Sequence, residues 1–477
     1  MRGNTVQGPL IYWFRRDLRL SDHPALAAAV ASGRPVVPLF ILEGEVEALG
    51  AAAKWRLGLA LAEFARALEA IGSRLVLRRG EALGVLAGMQ PAAVHWQRLY
   101  DPAAMARDAA VKAGLRALGI EAVSHPGALL VEPWEVQTLQ GGYYKVYTPF
   151  WKAISARGVA GPGAVVRELR GPAVWPASDD LADWQMGRAM NRGAAVVLPY
   201  QAVGEAAAFQ RLERFLEGPI EGYRERRDFP AEAATSGLSE NLSYGEIGPR
   251  SIWAAGERAR EFGARGAEHF LKELVWREFA YHLMYHAPQI LTRNWREGWD
   301  SFSWRGDSAE AERWRRGMTG EPMVDAAMRE MYVTGRMHNR ARMIAASYLT
   351  KHLLTDWRVG QAWFADCLTD WDAAANAMGW QWVAGCGPDA APYFRIFNPA
   401  AQGEKFDAGG AYRRRFIAEI SREPGPEALA FFEAVPRSWR LDPKAGYPLP
   451  MIDLAAGRAR ALSALAGMKH LSEMAGS

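Results

Sequence analysis

The feature that most limits how this chain can fold is a change in hydrophobic period near residue 200. Before it, short apolar runs alternate with segments of helical period. Leu10–Phe14, Pro35–Ile41, Arg74–Leu77 and Ala92–Trp96 are runs of strand length. Between them, Lys54–Ile71 places Leu57, Leu61, Phe64 and Leu68 on one helical face, and Pro102–Leu118 reads as another helix. A βαβα order predicts a parallel sheet with helices on both faces. No GxGxxG follows any of these strands, which argues against a standard dinucleotide site in this half.

After about Gly204 strand-like alternation is almost gone. Gly204–Leu216, Pro249–Glu261, Ala267–Tyr285, Val324–Tyr332, Arg340–Leu354 and Gln361–Leu368 all carry helical patterns, and the last stretch is Ala-rich and helical or frayed. Pro249 after Gly248 is a helix-start signal. The predicted fold is an α/β N-terminal domain of Rossmann-like type over residues 1–131 and an all-α C-terminal domain over 204–477. A long connector over 132–203 joins them, rich in Pro, Gly, Trp and Ala without a clear period. Connectors of that length are functional or packed on other parts of the chain.

The chain has 477 residues, enough for two or three domains with large cores. Its net charge is +4, so any attraction to nucleic acid has to come from a local basic surface. With only two cysteines, Cys367 and Cys386, a disulfide framework and a four-Cys metal or iron–sulfur site are both excluded, and no metal is expected. No run of about 18 apolar residues is present, so no membrane span is expected. Met1–Gly8 lacks a signal-peptide pattern. The compartment expected is reducing cytosol. The 19 tryptophans are the anomaly, because Trp fills a core at the cost of finding a partner for its N–H. Large cores favour Trp; so do ligands that stack and proteins that carry oxidising equivalents.

Four strings carry candidate chemistry. Thr235-Ser236-Gly237-Leu238-Ser239 offers three hydroxyls at a helix start, which suits an anion or an ordinary N-cap. Asn339-Arg340-Ala341-Arg342-Met343 opens a helix with two arginines on different faces. One can reach out to a phosphate and the other inward to a carboxylate, or both can form a solvated basic turn. Thr369-Asp370-Trp371-Asp372 runs on to Asn376 and Trp380-Gln381-Trp382. Buried carboxylates need partners, and Arg342 or a cofactor with amide and hydroxyl donors would serve; capping and packing is the plainer account. Glu273 and Trp276 share a helix face, an arrangement suited to a planar hydrogen-bonding ligand such as a base, or to a core Trp beside a surface Glu.

Taken together and in order, these strings resemble the DNA photolyase/cryptochrome family. The resemblance begins at Trp13-Phe14-Arg15-Arg16-Asp17-Leu18-Arg19 and Asp22, and passes through Thr148-Pro149-Phe150 and the Thr-Ser-x-Leu-Ser segment. It continues through Trp276-Arg277-Glu278-Phe279, Met337-His338-Asn339-Arg340 and Gly379-Trp380-Gln381-Trp382. It closes at Asp389-Ala390-Ala391-Pro392-Tyr393-Phe394-Arg395-Ile396-Phe397-Asn398-Pro399. It covers roughly residues 8 to 440.

The resemblance implies a helical domain holding a U-shaped FAD. Tyr223, Thr235, Ser236, Leu238 and Ser239 match the phosphate-side contacts. Arg342, Asp370, Asp372 and Asn376 match the isoalloxazine and ribose side, with Asn376 toward flavin N5 and Arg342 paired with Asp370. The implied reaction is carbon–carbon lysis: a reduced flavin, excited by blue light, gives an electron to a pyrimidine dimer flipped out of DNA, the ring splits, and the electron returns. The dimer cannot be reached inside a duplex and has to be flipped out of the stack first. Trp276 and Trp382 match the aromatic walls around the dimer, Glu273 and Asn339 its hydrogen-bonding partners, and Met343 a contact at its edge. Arg340, Gln402 and Lys405 match contacts to DNA phosphates, which give position rather than sequence specificity. Trp380, Trp357 and Trp304 line up with the family's electron-transfer chain. A monomer is expected.

Two relatives in function are the rivals: a cryptochrome-like blue-light photoreceptor and a photolyase for the (6-4) photoproduct. Plant-type cryptochromes lose the Trp pair and carry Asp toward N5, whereas Trp276, Trp382 and Asn376 stand here. The (6-4) enzymes show a paired His where this chain has His338-Asn339, which favours the cyclobutane dimer. Phe279-Ala280-Tyr281-His282-Leu283 is more like bacterial class III than class I photolyases. Class III resemblance points to methenyltetrahydrofolate as antenna. Arg98-Leu99-Tyr100-Asp101-Pro102 departs from the Asn-Glu pair of folate-binding class I enzymes, which leaves a deazaflavin or no antenna open.

Overall fold

A computed structural model describes residues 8–389 and 394–475. The N-terminal half holds a five-stranded, all-parallel sheet in the order β3-β2-β1-β4-β5. Its strands are β1 (Leu10–Phe14), β2 (Val36–Leu42), β3 (Val76–Arg79), β4 (Ala93–Gln97) and β5 (Glu121–His125). Every residue of β1, β2 and β4 is buried, as expected when crossover helices cover both faces of a parallel sheet. Leu10, Tyr12 and Phe14 pack with Leu57, Leu61, Phe64 and Leu68 of the Ala51–Ala70 helix. Ile11 and Trp13 point the other way, against Trp96, Val111 and Leu115.

The fifth strand is the one element of the sheet that the apolar pattern did not show. β5 reads Glu-Ala-Val-Ser-His and only Ala122 in it is fully buried. An edge strand with little to bury carries no apolar run, and backbone pairing to β4 creates it.

The connector is ordered by packing on the helical half and by backbone bonding to the α/β half. It contains a helix, Tyr147–Arg157, whose Phe150 and Ile154 pack into the core that includes the Ala267–His286 helix. It then returns along the α/β half, where the amide of Val36 donates to Arg170 O (2.7 Å), that of Val166 to Leu20 O (3.0 Å) and that of Asp179 to Leu77 O (2.9 Å). Partners lying far away in sequence explain the missing period.

In the helical half Pro249 stands at the start of its helix, as expected. The stretch read as one helix over 340–354 is broken: α-helix runs from Asn339 to Ser347, and Tyr348–His352 forms a π turn. Polar side chains in that turn find tertiary carbonyls. Lys351 Nζ donates to Ala384 O, and His352 Nε2 lies 3.0 Å from Phe397 O. The helix read as Gln361–Leu368 begins a turn earlier, at Trp357, because Asp356 caps it by accepting from the Arg358 amide at 2.9 Å.

The two halves are clamped together beside the candidate site. Arg56 forms two bonds, 2.9 and 2.7 Å, with Glu246. Buried Arg19 donates to Gly245 O and Gly127 O. Gly245 has φ +67°, and a Cβ there would lie 2.1 Å from Arg16 O, so only glycine permits this approach. The Tyr244 hydroxyl donates to Thr369 O at 2.6 Å and thereby holds the residue before Asp370.

A buried carboxyl in this half gives a pH test. Glu321 is 6% exposed, and burial followed by the nearby Asp325 raises its pKa to about 7. Its folded pKa lies above the unfolded value, so its stabilising contribution is present below about pH 4.5 and is lost as pH rises through about 7. Glu321→Gln is therefore expected to be more stable than the parent at pH 8, with the difference vanishing near pH 4.5. Denaturant midpoints at the two pH values check this, and equal offsets at both would refute it.

Candidate functional site

A cleft of about 420 Å³ opens in the helical half between three segments. The first is the loop Thr235–Leu238, which leads into the Ser239–Ser243 turn of helix. Leu238 is 3% exposed and anchors that loop in the core, while Gly237 takes φ +65° to turn it. Thr235, Ser236 and Ser239 line the cleft, and among the described residues their hydroxyls donate to no other part of the chain. Tyr223, 6% exposed, also lines it.

The second segment is the start of the Asn339–Ser347 helix. His338 caps it, with its Nδ1 3.2 Å from the Arg340 amide. Burial pushes the His338 pKa down to about 4, so the imidazole is neutral and suited to accepting that bond. One turn in, Arg342 places Nη2 2.9 and 2.7 Å from the two carboxylate oxygens of Asp370, and its Nε donates to Met337 O at 2.7 Å. Asp370 belongs to the third segment and is nearly buried, with 3% of its side chain exposed.

Arginine dominates the lining. Arg227, Arg336, Arg342 and Arg415 all face the cleft. Arg227 pairs with Glu273 and Arg415 with Glu427 (3.0 Å), while Arg336 lies 3.8 Å from Glu240. Glu240 is fully buried and also pairs with Arg211 at 2.9 Å. The carboxyl of Glu330 is raised by burial and accepts from Tyr412 OH (2.6 Å) and the His338 amide (3.1 Å). Free hydroxyls, a positive-φ loop and several guanidinium groups make a receptor for a phosphorylated ligand.

The cleft brings together Tyr223, Thr235, Ser236, Leu238, Ser239, Arg342 and Asp370 with Glu273 and Asn339. Met343 sits beside it, its sulfur 4.0 Å from Asn339 Nδ2. Asp372 and Asn376 are not part of this lining. Asp372 caps the Ala373–Ala384 helix and accepts from Tyr281 OH at 2.5 Å. Asn376 donates to Gln361 O at 3.2 Å and faces a cavity of about 700 Å³ between the two halves. Trp276 lies flat on Tyr147 (3.6 Å, 6°), and the indole N–H of Trp382 donates to Asp389 O at 3.2 Å.

Trp380, Trp357 and Trp304 belong to one apolar core. Among the described residues no direct ring contact joins them. Trp380 meets Phe364 at 4.9 Å, Trp304 meets Phe302 at 4.4 Å, and Trp357 donates to Asn294 at 2.9 Å. Arg340 is engaged within the chain, 2.5 Å from Asp228 and 4.5 Å over Phe406. Lys405 is exposed, and the Gln402 side-chain oxygen is buried without a partner. Ala390, Ala391, Pro392 and Tyr393 of the closing motif lie outside the described residues.

Sequence reasoning missed Arg227, Arg336 and Tyr147. Arg227 stands one helical turn after Tyr223, and Arg336 directly precedes the Met337-His338-Asn339-Arg340 string, so both were within reach of the motifs. Tyr147 precedes Thr148-Pro149-Phe150 and joins the site only through the fold.

A Rossmann-like sheet docked on a helical half with an arginine-and-hydroxyl cleft defines a protein that holds a nucleotide-type cofactor. Residues 10–166 match the DNA photolyase family and residues 270–467 match the FAD binding domain of DNA photolyase. The deoxyribodipyrimidine photo-lyase of Agrobacterium fabrum is 46% identical, covering 97% of this chain and 98% of its own. Arabidopsis thaliana cryptochrome-1 is 32% identical over 97% of this chain and 71% of its own. The crystal structure of a bacterial class III photolyase from Agrobacterium tumefaciens superposes with TM-score 0.90 at 44% identity, covering 98% of this chain and 99% of its own. This chain belongs to the DNA photolyase family. Among the described residues no helix is long and apolar enough to cross a membrane.

Proposed function

We propose that this protein repairs cyclobutane pyrimidine dimers in DNA in a light-dependent reaction. The observation that carries the reading is the single cleft in which the hydroxyl loop and the Arg342–Asp370 pair meet Glu273 and Asn339. Cofactor-type and base-type contacts thus open into one space. The residues fit FAD. Thr235, Ser236 and Ser239 would hold its phosphates with the backbone of Leu238, and Tyr223 would close that side. Arg342 and Asp370 would hold the ring side, with Asp372 and Asn376 contributing from the start of the Ala373–Ala384 helix. When bound, FAD supplies the light-driven electron that splits the dimer.

The chain's own residues do the rest. Glu273 and Asn339 would hydrogen-bond the flipped dimer while Met343 meets its edge, and Trp276 and Trp382 would wall it. Arg340, Gln402 and Lys405 would hold the flanking phosphates. For Arg340 that requires exchanging Asp228 for a phosphate oxygen. Trp380, Trp357 and Trp304, within one apolar core, would link the cofactor to the surface. Its subclass would be class III, and the protein would act as a cytoplasmic monomer.

A second cavity, of about 480 Å³, supports a folate-type antenna. Trp363, Trp439 and Tyr332 line it, Arg192 and Arg437 stand at it, and the Trp363 N–H is buried without a partner. Aromatic faces suit a pterin ring, and arginines suit an anionic tail. A deazaflavin would find its place in the larger cavity near Arg15, Arg16 and Glu43, at the carboxyl ends of β1 and β2. Trp363→Ala is expected to abolish co-purification of a near-ultraviolet-absorbing pterin while FAD content stays unchanged. An unaltered chromophore content places the antenna elsewhere.

The deciding experiment reduces the flavin, adds an oligonucleotide with one thymine dimer, and follows thymine recovery in blue light against darkness. Light-dependent recovery is expected. A protein with fully reduced FAD and no recovery overturns the reading in favour of a (6-4) substrate or a photoreceptor.

A further inference from the structure

One aromatic face of Trp276 is covered. Tyr147, the first residue of the connector helix, lies parallel to it at 3.6 Å and 6°. The Tyr147 hydroxyl donates to Lys272 O at 2.6 Å, one turn before Trp276 on the same helix, so the ring is pinned at its far end as well. Phe279 stands edge-on to both rings, 5.9 Å from each. Tyr147 is 7% exposed whereas Trp276 is only half-buried. The indole therefore has one face committed and one surface left for a partner.

The same tyrosine reaches the second tryptophan through Asp389. The Tyr147 backbone N–H faces the Asp389 carboxylate and partly offsets the upward push of burial on its pKa. The Asp389 carbonyl accepts the Trp382 indole N–H at 3.2 Å. Asp389 has φ +50°, a left-handed conformation that Asp tolerates better than most non-glycine residues and that turns the chain at this point. Asp389 thus stands between Tyr147, which stacks on one wall, and Trp382, the other wall, on a different helix.

We infer that Tyr147 and Asp389 form a brace that fixes the spacing and tilt of Trp276 and Trp382. Both are positioning residues. The inference rests on the reading of Trp276 and Trp382 as walls of the dimer pocket. The physical reason for a brace is entropy. A ring that must accept a flipped base by stacking loses less freedom on binding when its rotamer is already set. The connector, far in sequence from both tryptophans, thereby takes part in lesion recognition.

The test measures affinity for dimer-containing and undamaged oligonucleotides in the full-length FAD-loaded protein, together with repair per bound dimer in blue light. Tyr147→Ala is expected to weaken dimer binding about tenfold, the worth of one lost aromatic pair. Affinity for undamaged DNA, FAD content and repair of the bound dimer stay unchanged. Tyr147→Phe keeps the stack and stays within about threefold of the parent. Asp389→Asn keeps an oxygen acceptor and behaves alike, whereas Asp389→Ala weakens binding as Tyr147→Ala does. If Tyr147→Ala does not fold, Tyr147→Leu, which keeps apolar bulk without a ring face, decides the matter. Trp276→Ala is the reference. Should it weaken dimer binding while the Tyr147 and Asp389 variants do not, the brace is overturned and the walls stand. Should Trp276→Ala bind dimers as the parent does, the wall reading falls and the brace with it. An equal loss for undamaged DNA also overturns the brace.

Discussion

Glu246→Ala is expected to lower the free energy of unfolding by about 3–5 kcal/mol, the cost of leaving a buried charge unpaired. Arg56 and Glu246 are 0% and 1% exposed, and their bonds of 2.9 and 2.7 Å join the Ala51–Ala70 helix to the helical half. Burial alone would lower the pKa of Arg56, but the Glu246 carboxylate outweighs it and the guanidinium is held charged. With alanine at 246, Arg56 keeps Ala202 O at 3.2 Å, the Tyr244 ring at 4.8 Å and the more distant charge of Glu240. Asn241 also loses an acceptor at 2.6 Å. A urea titration reads the effect as a lower midpoint with an unchanged slope. Pairing the change with Arg56→Met, which removes the orphaned charge, is expected to recover most of the loss. A shift below about 1 kcal/mol in the single variant would mean that water reaches Arg56 and that the clamp contributes little.

The clamp also shows why some of this protein was legible in its sequence and some was not. Strands β1 and β2 were visible because both faces are buried and the apolar run is unbroken. The Arg342–Asp370 pair was foreseeable because a buried carboxylate needs a cation and only a few were within reach. Arg19 and Gly245, by contrast, owe their roles to an approach of two halves more than 200 residues apart, which no local pattern encodes. Asp372 and Asn376 sit in the same string as Asp370, yet Asp372 caps the following helix and bonds Tyr281, and one turn on Asn376 faces the cavity between the halves. Sequence spacing set their neighbourhood along the chain but not the partners each one meets. Tyr147 was hidden for a further reason: its ring contact with Trp276 spans 129 positions and is made by a segment with no readable period.

Arg342→Ala is expected to weaken retention of FAD by about 30-fold to 4,000-fold, the equivalent of 2–5 kcal/mol for removing one partner of a buried hydrogen-bonded charge pair. The argument starts from Asp370. Only 3% of its side chain is exposed, and Arg342 supplies the neutralising charge between its two oxygens. Without that guanidinium the carboxylate faces the cleft unpaired, where it repels an electron-rich ring and the phosphates beyond it. The Met337 carbonyl also loses its donor at 2.7 Å, which loosens the cap of the helix that carries Asn339. Arg342→Lys preserves a charge but not the planar donor set, and is expected to fall between the parent and the alanine variant. Arg342→Ala combined with Asp370→Asn removes the unpaired charge and recovers part of the affinity. Flavin-to-protein ratio after gel filtration, followed by titration of the apoprotein with FAD, measures each step. Circular dichroism of the apoproteins separates a lost cofactor from a lost fold. Full retention of FAD by a folded Arg342→Ala protein would show that the hydroxyl loop at Thr235–Ser239 holds the cofactor unaided. The Arg342–Asp370 pair would then serve only to close the helical half.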